Sequence, residues 1–278
     1  MKMIIKVKQV EFYGKNRFEI KVNDKLKYFA GTPWLNIEAP LEVDNVRRCL
    51  ITTADEKICY KSSYGVVENI SNTAIPMKWA ITGEQKSRIF DICDANNNAV
   101  GKFYKLKNGF LDTKYIIEYG QHVLTSYDIS VGTTRNILIY KDDSQIAEIV
   151  KPLAVSNNLD SYYIFLLDEF SDLELILSFC TVLLDYENYF NGGQVLMNKK
   201  EVKIRYTYDK TNKFYDKHWI ENHFNKEDVL LIYEKIQKDR KENIESIKKY
   251  GKFIVSLIVI AWFIVLAVFG VLYYICYI

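Results

Sequence analysis

A chain of 278 residues with 37 Lys and Arg against 35 Asp and Glu has a net charge of only +2, so no global pull toward nucleic acid is implied and no nucleic-acid partner is expected. Aromatic residues make up 14 % of it, with 21 Tyr and 15 Phe, which favours strands and supplies bulk for a core. The five cysteines, Cys49, Cys59, Cys93, Cys180 and Cys276, are odd in number and lack CxxC spacing, which argues against a disulfide framework and a thiolate zinc site and for a reducing compartment.

Met1 to Val10 alternates lysines with aliphatics and has no apolar stretch of signal-peptide length, so no leader is expected. Over residues 1–167, short alternating runs are separated by turn signals every 8–12 residues or so, the pattern of a sandwich or barrel. Ile4 to Val10 is one such run, and Arg17 to Val22 is another, ending at the Asn23-Asp24 turn. Two later stretches, Ile89 to Phe103 and Ile137 to Val150, both read strand, acidic or amide turn, strand, as a weak internal repeat would. Asn and Asp tolerate positive φ and form Asx turns, so they belong at hairpin tips. A calcium loop would need about six or more oxygens at fixed spacing, and ordinary surface turns explain the acids better.

The periodicity changes at Ser171. Leu173 to Leu184 is apolar almost all round, Ser171 with Glu174 three residues on spells a capping box, and the helix expected over 172–185 must be enclosed. A strand-rich chain closing around one hydrophobic helix meets both demands. Gly192-Gly193 then marks a turn. Lys199 to Tyr208 alternates again, with Lys199, Lys203 and Arg205 on one face. From Asn225, read as an N-cap, a charged helix runs to Lys252, with Val229, Tyr233, Ile236, Ile244 and Ile247 at helical spacing. Residues 253–278 follow without one charge, long enough for a bilayer-spanning helix. Arg240, Lys241, Lys248, Lys249 and Lys252 precede that segment and nothing basic follows it. The positive-inside rule then predicts a single-pass protein with a cytoplasmic N-terminal domain and its C-terminus at the outer face.

The strand-turn-strand element Phe90 to Phe103, the second one ending Ile146 to Lys151, the tract Leu159 to Phe165 and the helix Asp172 to Asp185 together resemble the tubby C-terminal-like superfamily, which includes the LURP-one-related proteins and the phospholipid scramblases. The resemblance covers roughly residues 1–190. It implies a closed antiparallel barrel of about twelve strands around a central hydrophobic helix, closure removing exposed strand edges. It also implies membrane association, with phosphoinositide binding or lipid movement proposed for some members. Scramblases likewise carry a hydrophobic C-terminal segment, whereas here the enclosed helix and that segment are separate elements. No proline-rich N-terminal arm is found.

Chemistry is thinly represented. Of the three histidines, His122, His218 and His223, the last two stand five apart, about 140° around a helix, and make poor metal co-ligands. No phosphate-cradling glycine loop and no GxSxG elbow occurs. The adjacent acids Asp55 and Glu56, and Asp142 and Asp143, fall at turns and are not a convincing acid and base.

The expected organisation is therefore a mainly β barrel over 1–190 with a buried helix at 172–185, an extra hairpin or connector at 191–224, a charged juxtamembrane helix at 225–252 and a transmembrane helix at 253–275. The expected function is a membrane-tethered, non-enzymatic lipid- or protein-binding module without cofactor or metal, scramblase-like transport of phospholipid being the alternative. Its partners would be membrane lipid with anionic headgroups, an unidentified protein, or a second copy through the stalk and membrane helix. Lys248, Lys249 and Lys252 would lie at headgroup depth, and Arg47, Arg48, Lys199, Lys203 and Arg205 are candidate headgroup contacts.

Overall fold

The computed structural model describes residues 2–11, 14–32, 49–64, 66–108, 113–131, 133–153, 159–189 and 215–277. Twelve strands form one closed barrel: β1 (Met3–Gln9), β2 (Gly14–Val22), β3 (Lys25–Thr32), β4 (Leu50–Thr53), β5 (Ile58–Tyr64), β6 (Gln85–Asp94), β7 (Ala99–Lys107), β8 (Thr113–Tyr119), β9 (His122–Val131), β10 (Thr134–Lys141), β11 (Ser144–Pro152) and β12 (Ser161–Leu166). Each pairs antiparallel with its sequence neighbours, and β1 closes the ring on β12 with Ile5 opposite Ile164. The expected closed antiparallel barrel is thus present, and the Ile89–Phe103 and Ile137–Val150 stretches are its hairpins β6–β7 and β10–β11.

Alternation sets the two faces. On β1, Ile5 and Val7 are buried in the main core while Lys8 is exposed; on β12, Tyr162, Ile164 and Leu166 join that core while Tyr163 and Phe165 belong to a second cluster outside the wall. The two poles of the barrel differ. At one, the connections are short and rest on residues in the left-handed region: Asn23 (φ 47°) and Asp24 (φ 64°), Asn97 (φ 68°), Gly120 (φ 57°) and Asp142 (φ 54°). The Asp94 carboxylate accepts from the Asn98 side-chain amide and from the Asn98 and Asn96 backbone amides, 2.8 Å each, which holds its pKa below the usual carboxylate range. The opposite pole carries the longer connections, including α1 (Val66–Thr73) and α2 (Lys78–Thr82) between β5 and β6.

A 3₁₀ turn (Asp168–Leu173) leads into α3 (Glu174–Tyr189). The expected Ser171–Glu174 capping box does not form, because the Glu174 carboxylate is taken by Lys27 Nζ at 2.9 Å and the Tyr28 hydroxyl at 3.0 Å. Ile176, Leu177, Phe179, Cys180, Val182, Leu183 and Leu184 are all buried and share one core with the inward residues of the strands.

Helices α1, α2, α4 (Trp219–His223) and α5 (Lys226–Tyr277) lie outside the barrel. Asn225 caps α5 as its sequence suggests, its Oδ1 accepting the Glu227 amide at 2.9 Å. The expected transmembrane helix over 253–275 is corrected. Residues 226–277 form one unbroken helix whose first half is charged, and among the described residues no helix is long and apolar enough to cross a membrane. The expected fold with a transmembrane helix and the expected single-pass placement, cytoplasmic N-terminal domain and outer C-terminus fall with it. Exposed apolar side chains, among them Phe253, Trp262 and Phe263, line the distal part of α5.

Candidate functional site

The long-connection pole is where charge enters the interior. Arg17 Nη2 meets Asp185 Oδ2 at 2.9 Å, and the Tyr162 hydroxyl donates to Asp185 Oδ1 at 2.8 Å. Lys151 Nζ bonds Asp160 Oδ1 at 2.8 Å, and Arg135 grips Asp128 with two nitrogens. The Asp160 amide in turn donates to Gln9 Oε1 at 3.0 Å. All six charged side chains are buried, and pairing of this kind is what makes a buried charge tolerable. A bulge in β6 puts Arg88 at φ 54° and directs it to Glu187 at the end of α3, 2.8 Å away. These carboxylates are engaged by cations and, at Asp185, by the Tyr162 phenol, an arrangement that orders the pole.

A concavity lies on the outer wall, between β1 and the start of α5. Even-numbered residues of β1 point outward, so Ile4 and Lys6 line it together with Lys2, Asn23, Asp24 and Tyr163. Asp228, Leu231, Ile232 and Lys235 supply the other wall at the three- and four-residue spacing that puts side chains on one helix face. The cavity measures about 780 Å³ and continues into a depression of about 340 Å³ lined by Lys8, Glu19, Lys21, Ser161 and Asp239. Asn23 fixes the corner: its Oδ1 accepts the Ile4 amide at 3.0 Å while its own amide donates to the Ile4 carbonyl at 2.9 Å.

Charges in this groove are unevenly matched. Lys6 pairs with Asp24 at 2.6 Å and Lys21 with Glu19 at 3.6 Å, and Lys2 Nζ stands 5.9 Å from the Phe224 ring centre. Lys8 and Lys235 have no ion-pair partner among the described residues. Ile4, Phe224, Leu231 and Ile232 give the larger cavity its apolar lining beside Lys235. Burial, and then the Asp239 charge, push the Tyr163 phenol up to about 12, so it enters any contact as a neutral donor.

Of the residues singled out from sequence, Arg47, Arg48, Lys199, Lys203 and Arg205 lie outside the described residues, as does most of the hairpin or connector expected over 191–224. Lys248, Lys249 and Lys252 are exposed on α5, away from the groove. His218 and His223 do not converge: His218 Nδ1 faces Glu221 at 3.1 Å, and His223 Nδ1 donates to the Trp219 carbonyl at 2.7 Å. Among the described residues no group of three or more His, Cys, Asp or Glu side chains could hold a metal ion. The groove lysines escaped the sequence reading because they come from β1, β2 and α5, over 200 residues apart; the alternation of Ile4, Lys6 and Lys8 was the legible part of the signal.

Comparison with known proteins adds no relative: no family model, no curated protein and no solved structure matches the chain.

Proposed function

We propose that the chain is a non-enzymatic binding module that takes an anionic phospholipid in the groove between β1 and α5. The observation that carries this reading is the apolar lining of a cavity of about 780 Å³ that also holds Lys235, with Lys8 in the adjoining depression, neither lysine having an ion-pair partner among the described residues. An amphiphile with a phosphate-bearing head and a short apolar length satisfies both surfaces at once, whereas a purely apolar ligand would leave Lys235 desolvated and uncompensated. The resemblance to the tubby-like superfamily supports the same assignment, since lipid recognition is proposed for some of its members.

The test is calorimetric titration of the full chain with dihexanoyl phosphatidylserine, dihexanoyl phosphatidylcholine and inorganic phosphate. Binding of the first, with weaker binding of the other two, is expected. A lysine near an anionic headgroup is worth about 1 kcal/mol, so the Lys8→Gln, Lys235→Gln double variant should bind roughly thirtyfold more weakly. Equal binding of the zwitterionic lipid, or a double variant with unchanged affinity, would refute the reading.

A further inference from the structure

The outer wall of the barrel buries a carboxyl group with no cation beside it. Glu148, on β11, shares its outward face with Val150, and Val150 packs in the cluster that fixes α4 and α5 to the barrel: Tyr163, Phe165, Trp219, Ile220, Phe224, Val229, Ile232 and Ile236. Its side chain is almost completely withdrawn from water. Asn136 Nδ2 donates to Oε1 at 2.6 Å and Gln145 Nε2 to Oε2 at 3.2 Å. Asn136 is itself held by the Thr134 hydroxyl at 2.8 Å, and Gln145 Oε1 accepts from Tyr140 at 3.4 Å. No ion pair to Glu148 exists among the described residues.

What faces it is acidic or neutral. Asp216, just before α4, adds repulsion; Tyr215 from the same connection and Tyr233 from α5 are phenols pushed up to about 12, first by burial and then by the Glu148 charge. Glu221 on α4 acts on Tyr233 as a further negative charge and is matched by exposed His218. A carboxylate in this setting is opposed by burial and by every acid around it, and carboxamide donors offset that only in part.

We propose that Glu148 is a protonation latch: protonated, it sits beneath the C-terminal arm formed by α4 and α5 and keeps the arm docked, and on ionisation it drives the arm off the barrel wall. The latch stands whether or not the groove takes a lipid. Undocking exposes Glu148 to water and returns it to its ordinary acidity.

The sign follows from linkage. Burial lifts the Glu148 pKa from 4.5 to about 7 in the docked state. Docking is therefore strongest below the ordinary value, weakens as pH rises through the interval between the two, and is constant above about 7. Between about pH 5.5 and pH 8.5 the arm-open population should rise roughly thirtyfold.

Hydrogen exchange of the full chain, corrected for the intrinsic pH dependence of exchange, reads that population at the amides of Trp219 to Ile236. A rise of that order in the wild type, abolished in Glu148→Gln, is expected; the neutral isostere keeps the acceptor for Asn136 and leaves His218 and Asp216 in place. An unchanged wild-type arm across this interval would overturn the latch even if the variant failed to fold. A Glu148→Gln arm that opens with the wild-type pH profile would overturn it as well, and would place the switch on another group. Carbon-13 detection of the Glu148 carboxyl in the wild type gives a third reading, and titration near its ordinary value would also sink the proposal.

Discussion

Arg17 on β2 and Asp185 near the end of α3 meet at 2.9 Å with both side chains almost wholly withdrawn from water, tying the helix to the barrel wall. Tyr162 completes the carboxylate from β12, so one acid joins three elements. Removing one member strands a buried charge, and Asp185→Ala should cost about 3–5 kcal/mol. The double variant Arg17→Met, Asp185→Leu should recover much of that loss, because it removes both charges rather than orphaning one. Urea midpoints of the two variants against the wild type provide the check.

Asn69 on α1 should be equally intolerant of change. Its Oδ1 accepts the Ile89 amide at 2.9 Å and its Nδ2 donates to the Ile89 carbonyl at 3.1 Å, so one carboxamide satisfies both backbone groups beside the β6 bulge. Asn69→Ala leaves a buried donor and a buried acceptor unpaired, at about 1–3 kcal/mol each. Asn69→Asp restores the acceptor alone and should fall between. Faster amide exchange around Ile89, before global unfolding, is the expected signature.

Gly101 on β7 stands opposite Tyr119, and a Cβ there would run into the Glu118 carbonyl oxygen on β8. The obstacle is backbone in a paired strand and cannot swing away. Gly101→Ala should destabilise the barrel by about 1–3 kcal/mol or more, even though alanine suits a strand no worse than glycine. Thermal denaturation is the measurement, and an unchanged midpoint would show that β7 and β8 separate freely there.

Thiol chemistry should separate the cysteines by position. Burial pushes the Cys49 thiol up to about 12 despite nearby Arg17, and burial alone raises Cys180. Both should resist iodoacetamide at mildly alkaline pH in the folded chain, while half-buried Cys59 and Cys93 label first. Mass mapping of the alkylated peptides distinguishes them; early labelling of Cys180 would mean that α3 leaves its core without unfolding.

Local periodicity made the barrel readable. Alternation such as Ile5-Lys6-Val7-Lys8 specifies which face is buried, and Asn-Asp pairs specify where the chain turns, so the strands and the tight pole could be placed without tertiary information. The ion pairs could not, because Arg17 and Asp185 are 168 positions apart and nothing local to either demands the other. Glu148 was hidden in plain sight: a carboxylate between Ala147 and Ile149 looks like a solvated strand face until α4 and α5 are laid over it. The uncharged C-terminal run reads as a span from its length and lack of charge, whereas among the described residues no helix is long and apolar enough to cross a membrane.

The ring closes between its first strand and its last, and this orders events during synthesis. β1 has β2 as an early partner, but its other edge stays open until the ribosome has released the chain beyond Leu166, some 160 residues later. A nascent barrel is therefore a growing sheet with an unpaired edge at each end, the condition most prone to intermolecular pairing. Late closure of the ring is the biosynthetic counterpart of a native barrel whose first and last strands are paired.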